Sequence, residues 1–205
     1  MRTFIVFISL LIMSQTTALS QVVVGKYHLS ATNKDYIVLL DDIQNRCKGN
    51  TPDAQMFKWQ IYMQVESNDT GIETYINISK WHANKFAKEM SEKYEKAQKE
   101  SQKKSWFRKK GGNGEMNLFM KQHDNITGND IFGYESGNDY DIIYEKNEAG
   151  QMFLCYNGEP AKSEGDDGLK VSGWRLVISS SEEIQMIDGL IMQAQEMLMS
   201  SGSNQ

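Results

Sequence analysis

The chain has few prolines, cysteines and histidines, and no long uninterrupted apolar run after its first twenty residues. Its 205 residues include two prolines, two cysteines and three histidines. Two cysteines are too few for a scaffold built on disulfides, and no CxxC pair is present. No later stretch reaches the roughly 20 apolar residues that a membrane-spanning helix needs. These absences, with 40% hydrophobic and 24% charged residues, indicate a globular protein.

Recognisable catalytic and metal-binding motifs are also missing. The chain has no GxSxG, no HExxH and no phosphate-binding loop. His28, His82 and His123 do not have the spacing of metal ligands. Met116 and Met120 would be soft copper ligands beside His123, but both alternate with a leucine as buried strand residues do. We expect no cofactor, and we interpret the protein as non-enzymatic.

The first twenty residues predict export. Arg2 supplies a positive start, and residues 4–13 (FIVFISLLIM) form an apolar core of ten. Ala18-Leu19-Ser20 then offers small residues at a cleavage site. We therefore expect residues 1–20 to be a signal peptide, and the mature protein to be soluble and either periplasmic or extracellular.

Cleavage leaves 185 residues, which suffice for one domain with a substantial core. We predict this domain over residues 21–199 and a flexible tail over residues 200–205. Cys47 and Cys155 can pair in an oxidising compartment, closing a loop of roughly a hundred residues worth about 4–5 kcal/mol in the chain-entropy account. The alternative is two buried thiols that pack as small hydrophobic groups.

Apolar residues that alternate with polar ones predict several strands. Residues 57–66 and 72–78 have a period of two on either side of a turn, which indicates a β-hairpin. The same pattern over residues 140–144 and 152–156 predicts a second hairpin. Further strands are predicted over residues 116–120 and 171–178, and a weaker one is predicted near residues 131–134.

Three helices are predicted. Residues 33–48 have apolar groups at helical spacing, although the run 36–40 is also compatible with a short strand. The second helix begins after Ser79, carries four Glu–Lys pairs at i, i+4, and ends at the glycines that follow Lys110. The third begins at a capping box of Ser180 and Glu183 and has a wide apolar face.

The predicted order α-β-β-α-β-β-β-β-α contains hairpins but no βαβ repeat. It predicts an α+β fold in which an antiparallel sheet of about six strands is covered on one face by helices. These include a long Lys/Glu-rich helix and a C-terminal amphipathic helix.

The most unusual region is the basic stretch of residues 80–110. It holds eleven Lys and Arg against four Glu, a net +7, whereas the rest of the mature chain carries −13. The apolar stripe of this helix stops at Ala97, so its last two turns, with Trp106 and Phe107, are expected to project into solvent. Residues 129–168 are correspondingly acidic, and they can lie against the basic stretch within one molecule or in a neighbouring copy.

Aromatic rings flanked by Lys and Arg suit an acidic partner or an anionic membrane surface. We therefore hypothesise an exported binding or accessory protein that contacts a protein, a peptide or an envelope surface. Export and the acidic total charge argue against nucleic acid, and a homodimer is compatible with the charges. The alternatives are rings that fold back onto the core, a small exported hydrolase, or a carrier of a hydrophobic ligand between the sheet and the C-terminal helix. The candidate contact residues are Lys103, Lys104, Trp106, Phe107, Arg108, Lys109 and Lys110.

Overall fold

The computed structural model describes most of the predicted domain in eight ranges. The predicted signal peptide and Cys47 lie outside them, so these predictions have no structural counterpart. The described ranges are residues 21–42, 59–79, 81–103, 106–114, 119–128, 130–133, 140–162 and 170–201.

Within these ranges the chain forms twelve strands and two helices. In chain order they are β1 (Gln21–Leu29), β2 (Lys34–Asp42), β3 (Trp59–Ser67), β4 (Ile72–Ile78), α1 (Ala83–Ser101), β5 (Arg108–Asn113), β6 (Phe119–Asp124), β7 (Asp130–Gly133), β8 (Tyr140–Lys146), β9 (Met152–Gly158), β10 (Ala161–Lys162), β11 (Lys170–Val171), β12 (Trp174–Ile178) and α2 (Ser181–Ser201).

Ten of the described strands form one antiparallel sheet, which confirms the α+β class and exceeds the six strands expected. The main path runs β5-β8-β9-β12-β3-β4-β6-β7. The sheet branches at β3, because β2 pairs with its first half and β12 with its end, while β1 pairs with β2. The two predicted hairpins are β3–β4 and β8–β9.

The main core lies between the sheet and the two helices. α1 contacts α2 and β9, and α2 also contacts β1, β2 and β3. The side chains of alternate strand residues and the apolar stripes of both helices pack together to form this core. No helix in the described part of the chain is long and apolar enough to cross a membrane. From the helices, the core takes Ala83, Phe86, Met90, Tyr94, Ala97, Ile184, Ile187, Ile191 and Ala194.

The helix predicted over residues 33–48 is wrong and the alternative strand over residues 36–40 is confirmed, because Lys34–Asp42 form β2. Tyr36 and Leu40 enter the main core, and Leu39 lies in a smaller apolar cluster on the opposite face. A strand that is buried on both faces has a continuous apolar run, so the period of two is hidden. The four-residue spacing of Tyr36 and Leu40 fits a strand as well as a helix.

The second predicted helix is shorter than expected at both ends. α1 begins at Ala83, after His82 as the N-cap, whereas the prediction placed the cap at Ser79. It ends at Ser101, and Arg108 already begins β5, so the prediction of two further helical turns in solvent is wrong. The chain leaves the helix soon after its apolar stripe ends, because further turns would have no core to pack against.

The C-terminal helix begins at the predicted capping box. The backbone N–H of Glu183 donates to Ser180 Oγ at 3.2 Å. The buried Glu183 carboxylate accepts from the N–H of Ser179 at 2.6 Å and of Ser30 at 2.7 Å. The same side chain therefore closes the helix N-terminus and ties α2 to the turn between β1 and β2.

Candidate functional site

The described contact residues lie between the end of α1 and β5, and on β5 itself. β5 is at one end of the main path and pairs with β8. A register shift interrupts this pairing between Lys110 and Gly112, and the φ of 126° at Gly112 lies in the region that favours glycine. Lys104 lies outside the described residues. We call the exposed surface here the basic edge, formed by Lys103, Phe107, Arg108, Lys109 and Lys110.

The two aromatic residues beside each other have different environments. Trp106 packs against the main core, and its indole N–H donates to the carbonyl oxygen of Glu100 at 2.7 Å. Lys146 Nζ lies 5.0 Å from the centroid of the Trp106 ring. Phe107, in contrast, is 69% exposed. Trp106 therefore fastens the end of α1 to the fold, and Phe107 is the ring that the basic edge presents to solvent.

Glu100 neutralises part of the basic edge. One of its carboxylate oxygens lies 2.5 Å from Lys109 Nζ and the other lies 2.9 Å from Lys103 Nζ. The hydrogen bonds from Lys109 and then Lys103 lower the pKa of Glu100 to about 2. The Glu100 side chain therefore joins the end of α1 to β5.

Carboxylates of β8 neutralise a further part of the basic edge. Glu145 contacts Arg108 at 3.5 Å and Arg175 at 2.7 Å, and Asp141 contacts Lys110 at 2.9 Å. With the two lysines at Glu100, the four cations of the basic edge share three carboxylates, which leaves the edge an excess of one positive charge. β5 and β8 thus bring the basic and acidic parts of the sequence together within one molecule.

A second candidate site lies in the core, where β8, β9 and β12 face α1. The ring centroids of Tyr140 and Tyr156 are 5.8 Å apart, and those of Tyr140 and Trp174 are 5.9 Å apart. The Tyr140 hydroxyl donates to the buried Glu89 carboxylate of α1 at 2.9 Å. The sequence pattern had assigned Glu89 to an ion pair on the helix surface. We call this group the tyrosine cluster: Glu89, Tyr140, Tyr144, Tyr156 and Trp174.

Three glycines allow the rings of the tyrosine cluster to lie directly over neighbouring backbone. A Cβ atom at each would come within 1.8 to 2.7 Å of the side chain of Tyr140, Tyr144 or Trp174. No other residue would fit at these positions without displacing a buried ring. The glycines are Gly111, Gly114 and Gly158.

Three polar groups of the tyrosine cluster have no hydrogen-bond partner among the described residues. They are the hydroxyls of Tyr144 and Tyr156 and the indole N–H of Trp174, in side chains that are at most 1% exposed. A buried polar group without a partner costs about 1–3 kcal/mol, and native proteins contain few of them. The three groups lie over different strands, since the Tyr144 ring lies against Gly111 of β5 and the Trp174 ring lies against Gly158 of β9.

A second carboxylate, that of Asp188 on α2, influences the tyrosine cluster. Burial raises the pKa of Asp188 to about 6, while a hydrogen bond from Ser91 of α1 acts in the opposite direction. Burial, followed by Glu89 and then other groups including Asp188, raises the pKa of Tyr156 well above its usual value. Burial is thus the largest cause of this shift, and the Glu89 and Asp188 carboxylates add to it.

Replacing Asp188 by asparagine is expected to raise the free energy of unfolding at pH 7 by about 1–2 kcal/mol, a figure reduced for partial exposure. The pKa of Asp188 is about 6 in the fold against an ordinary value of 3.8. The folded state therefore holds this proton more tightly, and the wild type loses stability as the pH rises from about 4 to about 6. Urea unfolding should give the wild type and the variant different free energies of unfolding at pH 7 and nearly equal ones near pH 4. An equal difference at both pH values would contradict this explanation.

The face of the sheet opposite the helices carries a buried ion pair. Lys121 Nζ on β6 lies 2.8 Å from Asp41 Oδ2 on β2, and both side chains are at most 3% exposed. The ammonium group is also 5.9 Å and 5.8 Å from the ring centroids of Tyr62 and Tyr75. β3 and β4 lie between β6 and β2, so β6 and β2 would be about 14 Å apart on a flat sheet. The twisted sheet therefore curves toward this face here.

The three histidines lie on different elements. His28 Nδ1 is 2.8 Å from Asp35 Oδ1 on the exposed β1–β2 hairpin. His82 precedes α1, and His123 on β6 lies opposite Glu73 on β4. No group of three His, Cys, Asp or Glu side chains that could hold a metal ion occurs in the described ranges.

Cys155 lies on β9, in a small apolar cluster on the face away from the helices. Burial raises the pKa of its thiol to about 11, and Arg175 donates a hydrogen bond to its sulfur at 3.4 Å. A thiol held protonated in this way is a poor nucleophile at neutral pH. Because Cys47 lies outside the described residues, the Cys47–Cys155 disulfide stays a prediction.

The sequence located the strands of the tyrosine cluster but not its polar character. The alternation of Tyr140 and Tyr144 correctly indicated a buried face of β8. The glycines next to these strands were the signal that could have indicated rings lying over backbone. Glu89 gave no signal, because it stands among four Glu–Lys pairs that all fit an exposed helix surface.

The chain matches no protein-family model, no curated protein and no solved structure. Proposals about its function therefore depend on the chemistry of its own residues. The basic edge and the tyrosine cluster are the two sites that offer such chemistry.

Proposed function

We propose that this chain is an exported, non-enzymatic binding protein that holds an extended acidic segment of a partner protein along β5. Three features of this terminal strand carry the proposal together. They are an edge with no paired strand among the described residues, an excess of positive charge, and the exposed ring of Phe107. Export rests on the predicted signal peptide of residues 1–20.

The strand geometry of β5 favours an extended partner. A peptide can add to a terminal strand as a further antiparallel strand, with main-chain hydrogen bonds giving affinity and side-chain contacts giving specificity. β5 offers six residues, Arg108–Asn113, for such pairing. Phe107, immediately before it, supplies an apolar anchor at one end, of the kind that often dominates binding energy.

The charge of the basic edge favours an acidic partner. Its cations exceed the carboxylates that contact them, so an acidic segment would meet a net positive surface. Complementary charge of this kind mainly raises the rate of association and the specificity. We therefore expect binding to weaken as salt is added.

A second copy of the chain and a membrane are less suitable occupants of this edge. Pairing two β5 strands would place Arg108, Lys109 and Lys110 of both copies close together, and like charges on paired strands are destabilising. An anionic membrane would attract the basic edge but repel the part of the mature chain outside residues 80–110, whose charge is −13. The hydrolase alternative has no specific observation in its favour among the described residues.

Replacing Phe107 by alanine is expected to weaken binding of an acidic peptide about tenfold, because an exposed aromatic anchor is lost. The probe is a synthetic decapeptide of alternating Glu and Thr, and its affinity is measured by calorimetry at low salt. The matched control is Ile126→Ala, since Ile126 is 87% exposed on another turn. Equal affinities for Phe107→Ala and the wild type would remove Phe107 from the site.

Two altered peptides distinguish strand addition from simple charge attraction. The same decapeptide methylated at every backbone nitrogen keeps its charge but has no backbone N–H to donate to β5, so we expect it not to bind. The peptide with Lys in place of Glu keeps its backbone but should be repelled. Equal binding of the methylated and unmethylated peptides would contradict strand addition.

A further inference from the structure

We propose that α1 forms a second side of the binding site at β5, where Lys93 selects partners that carry acidic side chains toward α1. This inference rests on the function proposed for β5 and names a residue that determines its specificity. Two features carry it. They are the course of α1 beside β5 and the position of the Lys93 ammonium group, which has no carboxylate partner among the described residues.

The last part of α1 runs beside β5 in the opposite direction. Glu100 Oε2 lies 2.5 Å from Lys109 Nζ, and Lys93 Nζ lies 3.7 Å from the position that a Cβ atom would take at Gly112. Residues 93–100 rise about 10 Å along a helix, and residues 109–112 span about 10 Å along a strand. The two elements therefore lie side by side over this length.

The side chains of β5 alternate between the side that faces α1 and the opposite side of the sheet. Directly paired residues of antiparallel strands have their side chains on the same side. Lys109 pairs with Tyr144 of the main core, whereas Lys110 pairs with Ile143 of the apolar cluster on the opposite face. A strand added beyond β5 has the same alternation, so every second side chain of the partner would face α1.

Lys93 carries a positive charge that no carboxylate in the described part of the chain neutralises. Glu89, its expected partner at i−4, is turned into the core and accepts a hydrogen bond from Tyr140. Each of the four basic-edge cations, in contrast, contacts a carboxylate of the protein itself. An acidic partner must compete with these carboxylates for the basic edge, but it meets no such competitor at Lys93.

Gly112 leaves room for a contact between Lys93 and the partner. It has no side chain, and its φ of 126° disfavours any other residue there. An added strand would lie about 4.8 Å beyond β5. A Glu side chain opposite Gly112, on the side that faces α1, therefore comes within reach of the Lys93 ammonium group, and a Lys or Arg side chain there would be repelled.

The test compares Lys93→Met with the wild type for binding of the Glu–Thr decapeptide, measured by calorimetry at low salt. Lys93→Met is expected to weaken binding about fivefold, near the upper end for an exposed ion pair. Lys93→Arg keeps the charge and should retain the wild-type affinity. Lys99→Met is the matched control, because it removes the same charge from an exposed position on α1 that is turned about 120° away from Lys93.

The outcomes separate this inference from the proposed function. Unchanged affinity of Lys93→Met, or equal weakening by Lys93→Met and Lys99→Met, would overturn the role of Lys93 and leave binding at β5 intact. A similar loss in Lys93→Met and Lys93→Arg would also overturn it, because the charge would then not be the cause. If the wild type itself does not bind the decapeptide, both proposals are overturned.

Discussion

Replacing Gly158 by alanine is expected to lower the free energy of unfolding by about 3 kcal/mol, near the upper end for overpacked cores. The new Cβ would lie 1.8 Å from Trp174 Nε1 and 2.3 Å from its Cε2. The Trp174 ring is 1% exposed and packs on Tyr140, so it cannot move without disturbing other buried rings. Urea unfolding should show a lower midpoint with an unchanged slope.

Two further variants isolate this steric cause. Gly189→Ala is a matched control in α2, where a Cβ would meet nothing within 4 Å, and it should stabilise the protein by about 1 kcal/mol through helix propensity. Trp174→Phe should relieve part of the clash, so that the double variant with Gly158→Ala is more stable than additivity predicts. Strict additivity of the two effects would contradict a clash between these side chains.

Replacing Lys121 by methionine is expected to lower the free energy of unfolding by about 3–5 kcal/mol, because a buried carboxylate loses its cation. Asp41 is fully buried and lies 2.8 Å from the Lys121 ammonium group. The double variant that combines Lys121→Met with Asp41→Leu should regain most of the lost stability, because two apolar groups leave no buried charge. Urea unfolding measures both effects.

The exposed ion pair of Lys34 and Glu66 provides the control for this prediction. Its atoms are 3.1 Å apart, but its side chains are 61% and 31% exposed. Lys34→Met should therefore change the stability by less than about 1 kcal/mol. A loss of similar size for Lys34→Met and Lys121→Met would show that burial of the pair is not the cause.

The predictability of each strand from the sequence depended on how many of its faces are buried. β3 and β8 bury mainly one face, so their alternation predicted them correctly. β2 buries both faces and was mistaken for a helix. β5, with the sequence RKKGGN, has no apolar alternation at all, because its side chains are charged, polar or absent. It forms through pairing with the acidic β8. Such pairing between distant segments has no local pattern in the sequence.

The candidate sites were predictable only in part, because they too depend on contacts between distant segments. The composition of residues 80–110 indicated a basic, aromatic surface near Trp106 and Phe107, but it did not indicate which ring would be buried. That difference arises from the contact of Trp106 with Glu100 and Lys146, which depends on where α1 ends. The buried roles of Glu89 and Lys121 were not predictable, because each depends on partners from distant strands.

The proposed binding at β5 is tested most directly by amide hydrogen exchange in the presence and absence of the acidic decapeptide. Strand addition should slow exchange at outward-facing amides of residues 107–113 and leave β1 and β7, the other terminal strands of the described sheet, unchanged. The methylated peptide should have no such effect. Unchanged exchange over residues 107–113 at a peptide concentration that saturates binding would contradict the central claim that β5 holds an extended acidic segment.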